Sequence, residues 1–130
     1  DLGIESIATK LSCLHSLKID NLIHLTDDGI KTLGCYSKER MKLLSISGIR
    51  SFTDISLDYI SKYNPSITYL NVSGTRFSSA GLCSLQRLRS LRNLNLSTQP
   101  NVTDEVVNAI AKLQFIQILV MYALAMFKAD

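Results

Sequence analysis

Apolar positions along the chain recur in a fixed phrase: an apolar residue, two variable positions, a leucine, one variable position and a further apolar residue. The five occurrences centre on Leu17, Leu44, Leu70, Leu94 and Leu119, which are 27, 26, 24 and 25 residues apart. Each central leucine follows an apolar residue three positions earlier (Leu14, Met41, Ile67, Leu91, Ile116) and precedes one two positions later (Ile19, Ile46, Val72, Leu96, Met121). A period of this length marks stacked repeats, each burying its apolar face against its neighbours. The leucine and the apolar residue after it alternate with period two, which predicts a short strand with one buried face.

A turn follows each strand, at Asn21, Ser47-Gly48, Ser73-Gly74-Thr75 and Ser97-Thr98-Gln99-Pro100. Next comes an apolar residue and then a hydroxyl residue: Leu25-Thr26, Phe52-Thr53, Phe77-Ser78 and Val102-Thr103. Ser and Thr stop an incoming chain and start a helix, because the side-chain oxygen accepts from an orphan helical N–H. Four residues after each cap stands another apolar residue, Ile30, Leu57, Leu82 or Val107. This is the spacing of a hydrophobic staple. Second apolar residues at Leu33, Ile60, Leu85 and Ile110 extend each helix to about three turns. The start of the chain fits the same register, since Asp1-Leu-Gly-Ile4 aligns with Asp27-Asp-Gly-Ile30. The expectation is one array over residues 1–130, about four repeats with partial units at both ends, forming part of a longer chain.

Composition narrows the class. With 46% apolar and 19% charged residues in 130, there is material for a core and no compositional sign of disorder. The net charge of +3 is too mild to point to nucleic acid. The apolar stretch from Phe115 to Phe127 is too short for a membrane span and contains Gln117. Residues 1–20 lack the pattern of a secretory signal. Cys13, Cys35 and Cys83 are odd in number and widely spaced, which fits reduced thiols packed as small hydrophobes in a cytosolic or nuclear protein.

The strand phrase, the polar turn and pieces such as "LTDDGIKTL" (25–33), "FTDISLDYI" (52–60), "YLNVSGT" (69–75) and "LNLSTQPNVTDEVVNAI" (94–110) resemble leucine-rich repeats. The resemblance is to the cysteine-containing subtype of F-box/leucine-rich-repeat proteins and covers nearly the whole chain. It implies a right-handed α/β solenoid with a parallel inner sheet and outer helices. It also implies a protein–protein interaction module, first as the substrate-recognition arm of an F-box-type ubiquitin ligase. The alternative is a structural scaffold subunit of a large assembly, such as an axonemal regulatory complex. The compartment expected is cytoplasmic, with nuclear or ciliary placement also open. The chain departs from the subtype at the turn position that usually holds Cys or Asn, which here carries Leu22, Ile49, Thr75 and Gln99, and just before the next strand's Pro, where Asn64 stands in place of the common Cys.

No reaction is legible. His15 and His24 stand apart, no cysteine or histidine cluster has metal-ligand spacing, and no phosphate-binding or nucleophile motif occurs. The expectation is a non-enzyme without cofactor or metal. Acids gather in first helical turns (Asp1, Glu5, Asp27, Asp28, Asp54, Asp58, Asp104, Glu105) and bases near helix ends or in the loop to the next strand (Lys10, Lys38, Arg40, Lys42, Lys62, Arg87, Arg89, Arg92, Lys112). Stacking turns these into an acidic rim and a basic rim. The helix dipole favours both placements; a basic rim that steers an acidic partner is the other reading. Arg87, Arg89 and Arg92 exceed what one helix end needs.

The strand register also gives three outward rows. They read Ser16, Leu43, Tyr69, Asn93, Ile118; then Lys18, Ser45, Asn71, Asn95, Val120; then Asp20, Ser47, Ser73, Ser97, Tyr122. The middle of this face is small and polar. Tyr69 and Tyr122, with Ile118 and Val120, are the anchors a protein partner would use, and the last strand is expected to be covered.

Overall fold

The computed structural model describes Gly3 and residues 14–37 and 40–121. The expected opening helix and the tail with Tyr122 lie outside the described residues, as does Cys13. Strands β1 (Ser16–Lys18), β2 (Leu43–Ser45), β3 (Tyr69–Asn71), β4 (Asn93–Asn95) and β5 (Ile118–Val120) alternate with helices α1 (Asp27–Ser37), α2 (Asp54–Tyr63), α3 (Ser79–Cys83) and α4 (Asp104–Ala111). The sheet is parallel, in the order β1-β2-β3-β4-β5. This is an α/β fold in which each helix carries the chain from one strand to its neighbour.

The leucine column forms as the spacing predicts. Leu17, Leu44, Leu70, Leu94 and Leu119 are register partners from strand to strand. Leu44, Leu70 and Leu94 are buried, whereas Leu17 and Leu119, in the edge strands, are half-buried. Phe52 and Phe77 fill the layer between sheet and helices with Ile30, Leu57, Ile60 and Leu82.

Each turn puts one residue in the left-handed region: Asn21, Gly48, Gly74 and Thr98, with φ of 63°, 76°, 69° and 58°. Glycine is suited to this backbone. At Gly48 space also demands it, because a Cβ would stand 2.0 Å from Asn21 Oδ1. The turns form their own ladder: Asn21, Gly48 and Gly74 donate their N–H to the carbonyls of Ser47, Ser73 and Ser97 at 2.9, 2.8 and 3.1 Å. The departures from the cysteine subtype are partly made good. Gln99 Nε2 donates to Val72 O and Thr75 Oγ1, both residues being buried, and Asn64 Nδ2 donates to Ser37 Oγ at 2.6 Å.

Three predicted caps are in place. Thr53, Ser78 and Thr103 accept from the N–H groups of Ile55, Gly81 and Val106. Two expectations need correction. Two helices fall short of three turns: α4 has 8 residues, and α3 has 5 and passes into a 3₁₀ turn at Ser84–Arg87. The α3 repeat is the shortest, and the 3₁₀ turn covers its length with fewer residues at about 2.0 Å rise each. In α4 the inward residue is Val106, with Val107 half-buried.

The reason is a contact between repeats. Asp27, the first residue of α1, accepts from Thr53 N at 2.9 Å, from Thr53 Oγ1 at 2.6 Å and from Ser56 Oγ. Asp54 does the same for Ser78 N, at 3.0 Å, and for Ser78 Oγ. Each carboxylate thus clamps the cap of the following repeat, and the third helical position there must stay small. It is Ser56 in one case; in the other it is Gly81, where a Cβ would lie 2.2 Å from Asp54 Oδ1. The next clamp position is Ser79, so the facing residue can be a valine, and Val106 fills the space.

Candidate interaction surfaces

The outward face of the sheet is more closed than the sequence rows suggest. Ser45 and Ser97 are buried. Asp20 Oδ1 accepts from Ser45 Oγ at 2.6 Å and from Ser47 N at 2.7 Å. Asn71 and Asn95 turn their Oδ1 atoms onto Ser73 N and Ser97 N at 3.0 and 2.9 Å. The small polar middle therefore ties strands to turns. Tyr69 sits half-buried between Leu43 and Asn93 in register.

The β5 edge keeps its apolar character. Ile118 is 54% and Met121 42% exposed, and Val120 is half-buried. The repeat pattern places Met121 inward, but the structure leaves it exposed just after β5. Three buried polar atoms without a hydrogen-bond partner, Asn93 Oδ1, Ser97 Oγ and Gln99 Oε1, all fall in the repeat beside this edge among the described residues. Such atoms cost about 1–3 kcal/mol each unless water or a partner meets them.

The basic rim separates into parts. Arg87 Nη1 lies 3.4 Å from Asp58 Oδ1, with both side chains exposed. A helix end and an ion pair account for Arg87. Arg92 is exposed at the start of β4, and its row runs Lys42, Thr68, Arg92, Gln117, joined by backbone bonds of 2.8, 2.8 and 2.7 Å. Arg89 is exposed and lines a cleft of about 340 Å³ with Gln86, Lys112, Leu113, Gln114 and Phe115. Phe115, which is 48% exposed, is not among the site residues predicted from the sequence. The signal was available: three residues before the strand the other repeats carry Arg40, Ser66 and Ser90. Leu22 and Ile23 form a second exposed apolar spot, in the first turn.

Of the predicted site residues, Arg87, Arg89 and Arg92 share one rim, Ile118 and Val120 share the far edge, and Tyr69 stands on the sheet face. They form no single site. Among the described residues no group of three or more His, Cys, Asp or Glu side chains could hold a metal ion, and no helix is long and apolar enough to cross a membrane.

The thiols differ from the expectation of uniform packing. Cys35 is exposed, because it falls on the outer face of α1, and Cys83 is half-buried. Burial, and secondarily the Glu105 carboxylate, push the Cys83 thiol up from its ordinary value. The thiolate is the reactive form, so Cys35 should be alkylated by iodoacetamide before Cys83 at pH 8. Peptide mapping by mass spectrometry after partial labelling checks this; faster labelling of Cys83 refutes it.

No protein-family model and no curated protein matches this chain. Solved structures do share its fold. The tropomodulin C-terminal domain of Caenorhabditis elegans is similar with a TM-score of 0.71 at 17% identity, over 95% of this chain and 84% of that one. Leiomodin-1 actin-binding site 2 is similar with a TM-score of 0.72 at 14% identity, over 94% of this chain and 78% of that one. The Chaetomium Mex67:Mtr2 subunits give 0.64 at 17% identity, over 91% and 88%. At such identities the likeness is one of fold.

Proposed function

We propose that this chain is a stretch of leucine-rich-repeat solenoid that serves as a protein-binding module, with no catalytic role. The observation that carries the reading is the β5 edge, where exposed Ile118 and Met121 adjoin a repeat with three unmet buried polar atoms. Clustered exposed apolar residues mark contact sites. The leiomodin neighbour, whose description is that of an actin-binding site, supports a protein partner in general terms. The ligase arm that the repeat resemblance implies is the narrower form of this reading, and a scaffold subunit is its alternative; the fold neighbours favour neither. Free thiols, one of them exposed, support a reducing compartment such as the cytoplasm.

Sedimentation velocity tests the edge. The parent chain should associate as concentration rises, and Ile118→Glu with Met121→Lys should keep it monomeric. Its melting transition should stay within about 0.5 kcal/mol of the parent, as for exposed sites away from the core. A parent that remains monomeric at high concentration removes the case for a contact there.

A further inference from the structure

The cleft beside Arg89 is built differently from the rest of the basic rim. Its two cations come from different repeats: Arg89 follows the 3₁₀ turn of the third, and Lys112 caps the end of α4 in the fourth. Buried Leu113 lines the cleft with them, and Phe115 forms an exposed aromatic wall. Gln86 and Gln114 add side-chain amides at the mouth. A helix end explains Lys112, but Arg89 lies beyond any helix, and so does Arg92. Neither arginine has an acidic side chain within ion-pair distance among the described residues, whereas Arg87 has Asp58.

We propose that this cleft docks an acidic segment of a partner protein that also carries an apolar side chain. Carboxylates of the segment pair with Arg89 and Lys112, and the apolar side chain lies on Leu113 against Phe115. Arg92 and Lys42, exposed two strands apart in one row, continue the positive charge along the sheet margin at a separation of about 10 Å. Charge complementarity selects the occupant: among the described residues this rim holds a single acid, Asp58, already paired. The apolar floor and the aromatic wall favour a peptide over a nucleic acid backbone, which would use the cations alone. The proposal deepens the protein-binding reading, by naming the chemistry of a partner, and uses a surface apart from the β5 edge.

Fluorescence anisotropy with a short labelled peptide of Glu-Glu-Leu repeats tests it, beside a Lys-Lys-Leu twin and a labelled DNA duplex. The full chain should bind the acidic peptide, more weakly as salt rises, and should not bind the basic twin. Arg89→Glu with Lys112→Glu should weaken binding about tenfold or more, and Phe115→Ser should weaken it without changing the salt dependence. Arg50→Glu with Arg76→Glu, an equal charge change at two exposed arginines in the turns that lead into α2 and α3 on the opposite rim, should leave binding intact and controls for net charge. No binding of the acidic peptide, equal binding by the Arg89–Lys112 variant, or tighter binding of the duplex than of the peptide overturns the proposal. The Ile118–Met121 variant should retain the peptide, so a failed β5 contact and a failed cleft are told apart.

Discussion

Leu70→Ala should destabilise the chain by about 2–5 kcal/mol, the range for truncating a buried leucine in a packed core. Leu70 is fully buried, with Leu44 and Leu94 as its register partners on either side. Strands on both sides hold the walls of the resulting cavity, so little collapse is available to reduce the cost. Leu119→Ala, in the half-buried edge strand, should cost clearly less. Urea unfolding followed by circular dichroism gives both values. A Leu70→Ala variant that unfolds at the parent's midpoint would falsify the column.

The second large effect is expected at a residue whose charge, taken alone, looks ordinary. Asp27→Ala should cost about 2–4 kcal/mol. The carboxylate accepts from Thr53 N, Thr53 Oγ1 and Ser56 Oγ. Hydrogen bonds to charged groups are worth about 1.5–3 kcal/mol, and an orphaned buried hydroxyl costs about 1–3 kcal/mol more. Ser56 is fully buried, so its hydroxyl cannot turn to water. Asp54→Ala should cost less, since its donors both belong to exposed Ser78. If only the helix dipole held these aspartates, both substitutions would cost a few tenths of a kcal/mol, and the same unfolding experiment separates the two accounts.

The strands, their register and three caps were legible because each depends on residues close in sequence. An apolar residue two positions after Leu70 fixes a face, and Thr53 lies next to the helix it caps. The clamp was not legible, because Asp27 and Thr53 are 26 positions apart and the dipole already explained an acid at that place. The burial of Val106 follows from the same omission: the third helical position is buried in every helix, and a valine fits there in α4 because Ser79 replaces an aspartate one repeat earlier. The far edge was partly legible. Ile118 and Val120 could be read as outward residues, but the cleft needed Arg89 and Lys112 to be brought together across two repeats. No period in the sequence expresses that meeting.

The order of the strands bears on how the molecule forms. Among the described residues every strand pairs with the next one along the chain, so the widest separation between their register partners is the 27 residues from Leu17 to Leu44. Closing a loop of that size costs little more at the end of the chain than at the start, and no pairing waits for distant segments to meet. Folding rates fall as contacts become more distant in sequence. A sheet wired in this way can begin at any pair of adjacent strands and grow outward one unit at a time. Lengthening the array would therefore add mass without adding a slower step.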